Sequence, residues 1–134
     1  MFQRTRFKII IYALLLLIGL SIFAWWVLFN FARGRDYERL GDMKAIQAQM
    51  TAYFGEFNTF ILPNCQPTFL ISQCGAKTKL ADFSLFRDPL NAGNYRYIVS
   101  QLSESDFGIN FTLETTIAGL APGTYTMTKT GIRK

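Results

Sequence analysis

The sequence predicts an α+β protein: a long N-terminal helix, transmembrane and then amphipathic, packed on a small antiparallel β-sheet. Three observations lead there. Ile9–Phe29 runs 21 residues without a charge, and Arg35–Phe57 carries apolar residues at intervals of three and four. The last third of the chain alternates apolar and polar residues between turns rich in Gly, Asn and Pro. With 134 residues, the chain accommodates one ordinary domain and an appendage.

The uncharged run sets the first element. At helical rise it spans roughly 31 Å, against a hydrocarbon core of about 30 Å. A secretory signal has a shorter apolar stretch, usually about 7–15 residues. Its cleavage site also prefers small residues, where this chain has Asn30-Phe31-Ala32. The run therefore reads as an uncleaved signal-anchor, with Trp25, Trp26, Phe29 and Phe31 as an interfacial aromatic belt. The expected organisation is a basic cytoplasmic N-terminus (1–8), a transmembrane helix (9–31), its amphipathic continuation (32–57) and a loop-plus-sheet region (58–134). Residues 32–134 form one globular domain in this scheme. Basic residues flank the span almost evenly, with Arg4, Arg6 and Lys8 before it and Arg33, Arg35, Arg39 and Lys44 after it. Two further points favour a cytoplasmic N-terminus: the preceding segment is short and acid-free, and both cysteines lie on the long side, where an oxidising compartment lets them pair.

Composition excludes several chemistries. The chain has no histidine, which removes Ser-His and Cys-His nucleophile pairs and imidazole metal sites. Two cysteines cannot build a four-thiolate zinc site. Of the net charge of +5, residues 1–44 hold +4 (seven basic, three acidic) and residues 45–134 hold +1 (seven basic, six acidic). The excess thus flanks the membrane, where it meets anionic head groups. Beyond it no basic cluster is longer than Lys77-Thr78-Lys79 or Arg133-Lys134, so no nucleic-acid partner is expected.

In the amphipathic half, Tyr37, Leu40, Met43, Ile46, Met50, Tyr53, Phe54 and Phe57 form the apolar stripe. Asp36, Arg39, Asp42, Lys44, Gln47 and Gln49 fill the other positions, and Glu38 with Asp42 reads as a solvated acidic pair. Gly34 and Gly41 weaken the helix by about 1 kcal/mol each relative to Ala without forbidding it. One long helix from about residue 7 to residue 57, straight or kinked at these glycines, is expected, closed off by Pro63-Asn64. Residues 64–88 read as loop, with Leu80, Phe83, Leu85 and Phe86 forming either a helical turn or an extended segment. Strands are expected at Tyr95–Val99, Phe107–Glu114 and Thr124–Thr130, with turns at Asn91–Asn94 and Pro122-Gly123. The stripe is the natural cover for the sheet's apolar face.

Cys65 and Cys74 lie nine apart, and in an exported domain a structural disulfide is the ordinary expectation. No C-x-x-C motif is present, so thiol–disulfide catalysis has no support. Asn110-Phe111-Thr112 matches the N-glycosylation pattern, although a strand Asn is the simpler account. Among the acids, only Asp82, Asp88, Glu104 and Asp106 fall in loops where acid–base or calcium chemistry would sit. They form no clear ligand set, so no enzyme, metal or cofactor is expected.

The order of parts resembles type IV pilins and pseudopilins: a basic N-terminus, a transmembrane helix continuing as an amphipathic one, then a small antiparallel sheet. Arg35–Met50 (RDYERLGDMKAIQAQM) is similar to the helix of pseudopilin-like proteins, in which a charged repeat leads into D-x-K-x-I-Q and a later Tyr. Tyr53-Phe54 stands where such proteins carry an aromatic pair, and Asp88-Pro89 followed by Tyr95-Arg96-Tyr97 resembles their approach to the sheet. The resemblance covers about residues 9–114. It implies a membrane-anchored structural subunit of a type IV pilus or secretion-type assembly. Its partners would be the lipid bilayer and other pilin-like subunits or membrane assembly proteins. One hallmark is missing: Arg6 rather than Gly precedes Phe7, and Ile11 stands where the family has a Glu inside the apolar helix. The chain is therefore expected to lack prepilin processing. The alternative expectation is a tethered extracytoplasmic binding module that does not polymerise and uses the loop surfaces of residues 58–94.

Overall fold

The computed structural model describes residues 2–75 and 81–134, with side chains from residue 7 onward. Its first element, α1 (Phe2–Phe57), is one uninterrupted helix of 56 residues, roughly 84 Å long. It begins at Phe2 rather than near residue 7, since neither Gly nor Pro occurs in that stretch to break it. It ends because Asn58 adopts a left-handed conformation (φ 55°) while its N–H still bonds the Phe54 carbonyl. This is the ordinary way to stop a helix, and it acts several residues before Pro63.

Four antiparallel strands follow in the order β1 (Ile98–Leu102), β2 (Phe107–Leu113), β3 (Gly123–Thr128) and β4 (Gly131–Arg133). The alternation predicted in β2 is observed: Phe107, Ile109, Phe111 and Leu113 are all buried. β1 lies three residues later than expected because Tyr95 is engaged in a turn, bridging back to Ala92. β4 was not predicted. Three residues are too few to show a period, and the positive φ of Gly131 makes the tight reversal after Thr128. The apolar run Phe69–Ile71 lies along the free edge of β1, with Thr68 N–H donating to Val99 O, Val99 N–H to Phe69 O and Ile71 N–H to Tyr97 O. Covering that edge removes a site for unwanted strand pairing.

The structure resolves the ambiguity at Phe83–Leu85, which is a single 3-10 turn capped by Asp82. Leu80 and the basic run Lys77–Lys79 lie outside the described residues. Cys65 and Cys74 are disulfide-bonded, with Cα atoms 4.7 Å apart. The core lies between α1 and the inner sheet face: Met43, Ile46, Met50 and Tyr53 from the helix meet Phe107, Ile109, Phe111, Leu113 and Met127. Phe60 stacks on Phe54 and touches Phe107, closing the far end.

Candidate functional site

The stripe positions Met43, Ile46 and Met50 have no solvent exposure, Tyr53 is buried, and Leu40 and Phe54 pack against the core from its margin. Tyr37 departs from the expectation. It is 59% exposed, with Arg33 stacked over its ring, because the buried face passes one residue to its side. The buried series is 36-39-43-46-50-53, alternating steps of three and four. Its first two members are Asp36 and Arg39, which the sequence reading assigned to the wet face; both are fully buried.

These two residues organise the most elaborate polar arrangement among the described residues. The Arg39 guanidinium makes a two-pronged pair with Asp88, Nε to Oδ2 at 2.6 Å and Nη2 to Oδ1 at 2.9 Å. Its Nη1 donates to Asp36 Oδ1 at 2.8 Å and to Glu114 Oε1 at 2.6 Å. The Tyr95 ring lies 4.8 Å from the guanidinium carbon, a cation–π contact. Arg35 grips Glu114 from the other side through Nε and Nη2. Asp36 also accepts the Glu114 N–H, the Thr115 N–H and the Thr115 hydroxyl. Asp88 Oδ1 accepts the Leu90 N–H as well. One helical segment therefore holds both the loop before β1 and the end of β2. No buried side-chain polar atom among the described residues is left without a partner.

Burial alone would lower the Arg39 pKa, but its bonds to Asp88, Glu114 and Asp36 outweigh that and raise it. Glu114 is held below the usual carboxylate range by its hydrogen bonds from Arg35, against the opposing effect of burial, with Arg39 adding to the same side. Asp42 also departs from expectation. It is half-buried rather than solvated, and accepts a hydrogen bond from the Tyr97 hydroxyl at 2.8 Å. Desolvation pushes the Asp42 carboxyl up, with the charge of Glu38 adding to it, although the Tyr97 bond pulls the other way. Burial and the Asp42 bond together push the Tyr97 phenol up.

Chemically, this arrangement is a lock. Two guanidinium groups and three carboxylates, plus backbone N–H groups, satisfy one another at the level where the helix leaves the apolar run. Of the loop acids, Asp88 is committed to Arg39, and the others are dispersed: Asp82 caps its turn, Asp106 bonds the Phe107 N–H and Glu104 is exposed. Among the described residues no three acids or cysteines are placed to hold a metal ion. Asn110 sits within β2 with its side chain bonded to Thr126. Beside the disulfide lies an open recess lined by Asn64, Cys65, Gln66 and Phe69. Trp25, Trp26, Phe29 and Phe31, the expected belt, are all exposed, with Trp25 stacked on Phe29.

The sequence carried a signal for the lock. Extending the core's three-four rhythm backward from Met43 lands on Arg39 and Asp36, and charged residues at core positions of one helix require partners elsewhere. Those partners, Asp88 and Glu114, are 49 and 75 residues away from Arg39, and no local pattern announces them.

The fold and site together define a class: an α+β head locked onto a helix whose N-terminal part is long and apolar enough to cross a membrane. Comparison with protein families, with curated proteins and with solved structures finds no match.

Proposed function

We propose that this protein is a membrane-anchored structural subunit of pseudopilin-like design. Its N-terminus is cytoplasmic, and its α+β head stands outside the membrane in a pilus- or secretion-type assembly. The observation that carries this reading is the continuity of one helix through both the apolar run and the head's core, with the ion network fixing the two at a set attitude. A binding module on a flexible tether needs no such rigidity, whereas a subunit that transmits position from membrane to assembly does. Other pilin-like subunits or membrane assembly proteins are the partners this design suits.

The second reading is a non-polymerising tethered binding module. It is favoured by Ile11 in place of the acidic residue that pilin assembly uses, and by the recess beside Cys65. Crosslinking in native membranes separates the two. Cysteines at Lys44 and Ala48, on the helix face turned away from the sheet, should give ladders of homo- or hetero-oligomers if the chain is a structural subunit. A monomer at every crosslinker concentration, with no filament or ordered particle by electron microscopy, supports the tethered module instead.

A further inference from the structure

We propose that the membrane-proximal end of the head is a bilayer-resting surface, built from the 115–122 hairpin and the 89–95 loop, whose partner is the lipid head-group layer. This rests on the membrane-spanning reading of α1. β2 runs antiparallel to α1. Its start, Phe107, packs on Phe60 beside the far end of the helix, and its end, Glu114, is bonded to Arg35 and Arg39. The chain beyond Glu114 therefore heads toward the membrane before β3 carries it away again. Thr115 is tied to Asp36, which lies about 8 Å along the helix axis from Phe31 at the end of the span. The head-group layer on each side of a bilayer is roughly 5–8 Å thick, so Thr115, where the hairpin begins, falls at its outer boundary.

The composition of this end fits that position. Neither 89–95 (PLNAGNY) nor 115–122 (TTIAGLAP) contains a charged residue. Within the hairpin Ile117 is turned inward and Leu120 partly so, sealing the core, while Thr116, Ala118, Ala121 and Pro122 face out. Leu90, on the other loop, is 42% exposed. Of the charges at this level, Asp36, Arg39, Asp88 and Glu114 are paired with one another, while Arg87 and Arg96, flanking the 89–95 loop, are exposed cations of the sign that anionic head groups attract. The opposite end of the head carries exposed Glu56, Glu104 and Lys129. Both loops are fastened to α1 through Asp36 and Asp88, so the surface keeps its attitude to the span rather than swinging freely.

The test uses nitroxide labels on cysteines introduced one at a time into the full-length chain, in nanodiscs of phosphatidylcholine and phosphatidylglycerol. Cys65 and Cys74 are bonded to each other, so only the added thiol reacts. T116C and A121C report the proposed surface, E56C the distant end and L17C the middle of the span. Labels at 116 and 121 should collide with a water-soluble nickel chelate several-fold less often than the label at 56. The label at 17 should be shielded from nickel and rich in oxygen collisions. If 17 behaves so while 116 and 121 match 56, the bilayer-resting surface is refuted and the span stands. If 17 itself is open to nickel, the spanning reading fails and takes this proposal with it. Spin–spin broadening between labels at 116 in discs holding two chains would identify a second copy as the occupant and overturn the lipid assignment.

Discussion

Replacing Arg39 by Met is the most informative perturbation of the head. Arg39 makes four charge-assisted hydrogen bonds to three carboxylates, and its own side chain and those of Asp36 and Asp88 are wholly buried. At about 1.5–3 kcal/mol each, four such bonds would sum to more than the whole stability of many domains, so the sum is not the effect. What matters is which charge is stranded. Glu114 keeps Arg35, and Asp36 keeps the Thr115 hydroxyl and two backbone N–H groups. Among the described residues Asp88 keeps only the Leu90 N–H. Removing the partner of one buried ion costs about 3–5 kcal/mol, and R39M should lose that much in urea unfolding of the full-length protein in micelles, followed by near-UV circular dichroism. Adding Asp88→Asn to R39M discharges the stranded group while preserving an acceptor for Leu90, and should restore about 2 kcal/mol. A loss under about 1 kcal/mol for R39M, or a double variant no more stable than R39M, would refute the assignment of the network as the head's lock.

Three further predictions follow from the same geometry. Met50→Ala, at a position with no exposure, should cost about 2–5 kcal/mol, whereas Tyr37→Ala should stay within about 0.5 kcal/mol, both read from urea midpoints. Reducing the Cys65–Cys74 bond reopens a loop of about ten residues and should lower stability by about 2.5–3 kcal/mol, measured as the melting shift with and without reductant. The two perturbed carboxyls should oppose each other in acid. Glu114 has a depressed folded pKa, so its contribution is present above the ordinary Glu value of 4.5 and lost as pH falls through its folded value. Asp42 has a raised folded pKa, so its contribution is present below 3.8 and lost as pH rises through its folded value. Melting temperature against pH should therefore fall less steeply below 4.5 for Glu114→Gln, and Asp42→Asn, which still accepts from Tyr97, should remove the loss on the rising side.

Periodicity made the helix legible almost to its ends, because a 3.6-residue repeat over many turns is a strong signal and lipid length is a hard constraint. The same holds for β2, whose alternation is a direct image of a half-buried strand. The third strand was legible in its core and two residues too long at its end, since Thr128 to Gly131 is a reversal that composition alone does not distinguish from more strand. The lock was illegible for a different reason. Polar side chains at helix positions 36 and 39 read as solvent-facing when considered residue by residue. Their burial follows only from continuing the core's rhythm and from partners brought in by tertiary structure. Tyr37 shows the converse, an apolar residue one step off the rhythm and therefore outside the core.

Hydrogen exchange across the junction of apolar run and head, in full-length protein held in lipid nanodiscs, tests the continuous rod most directly. Amides from residue 20 through residue 50 should exchange slowly without interruption, including Ala32 to Gly34, where neither lipid core nor sheet covers the backbone. A fast-exchanging break between Phe29 and Arg35 would mean two helices joined by a hinge, and would contradict the account at its root.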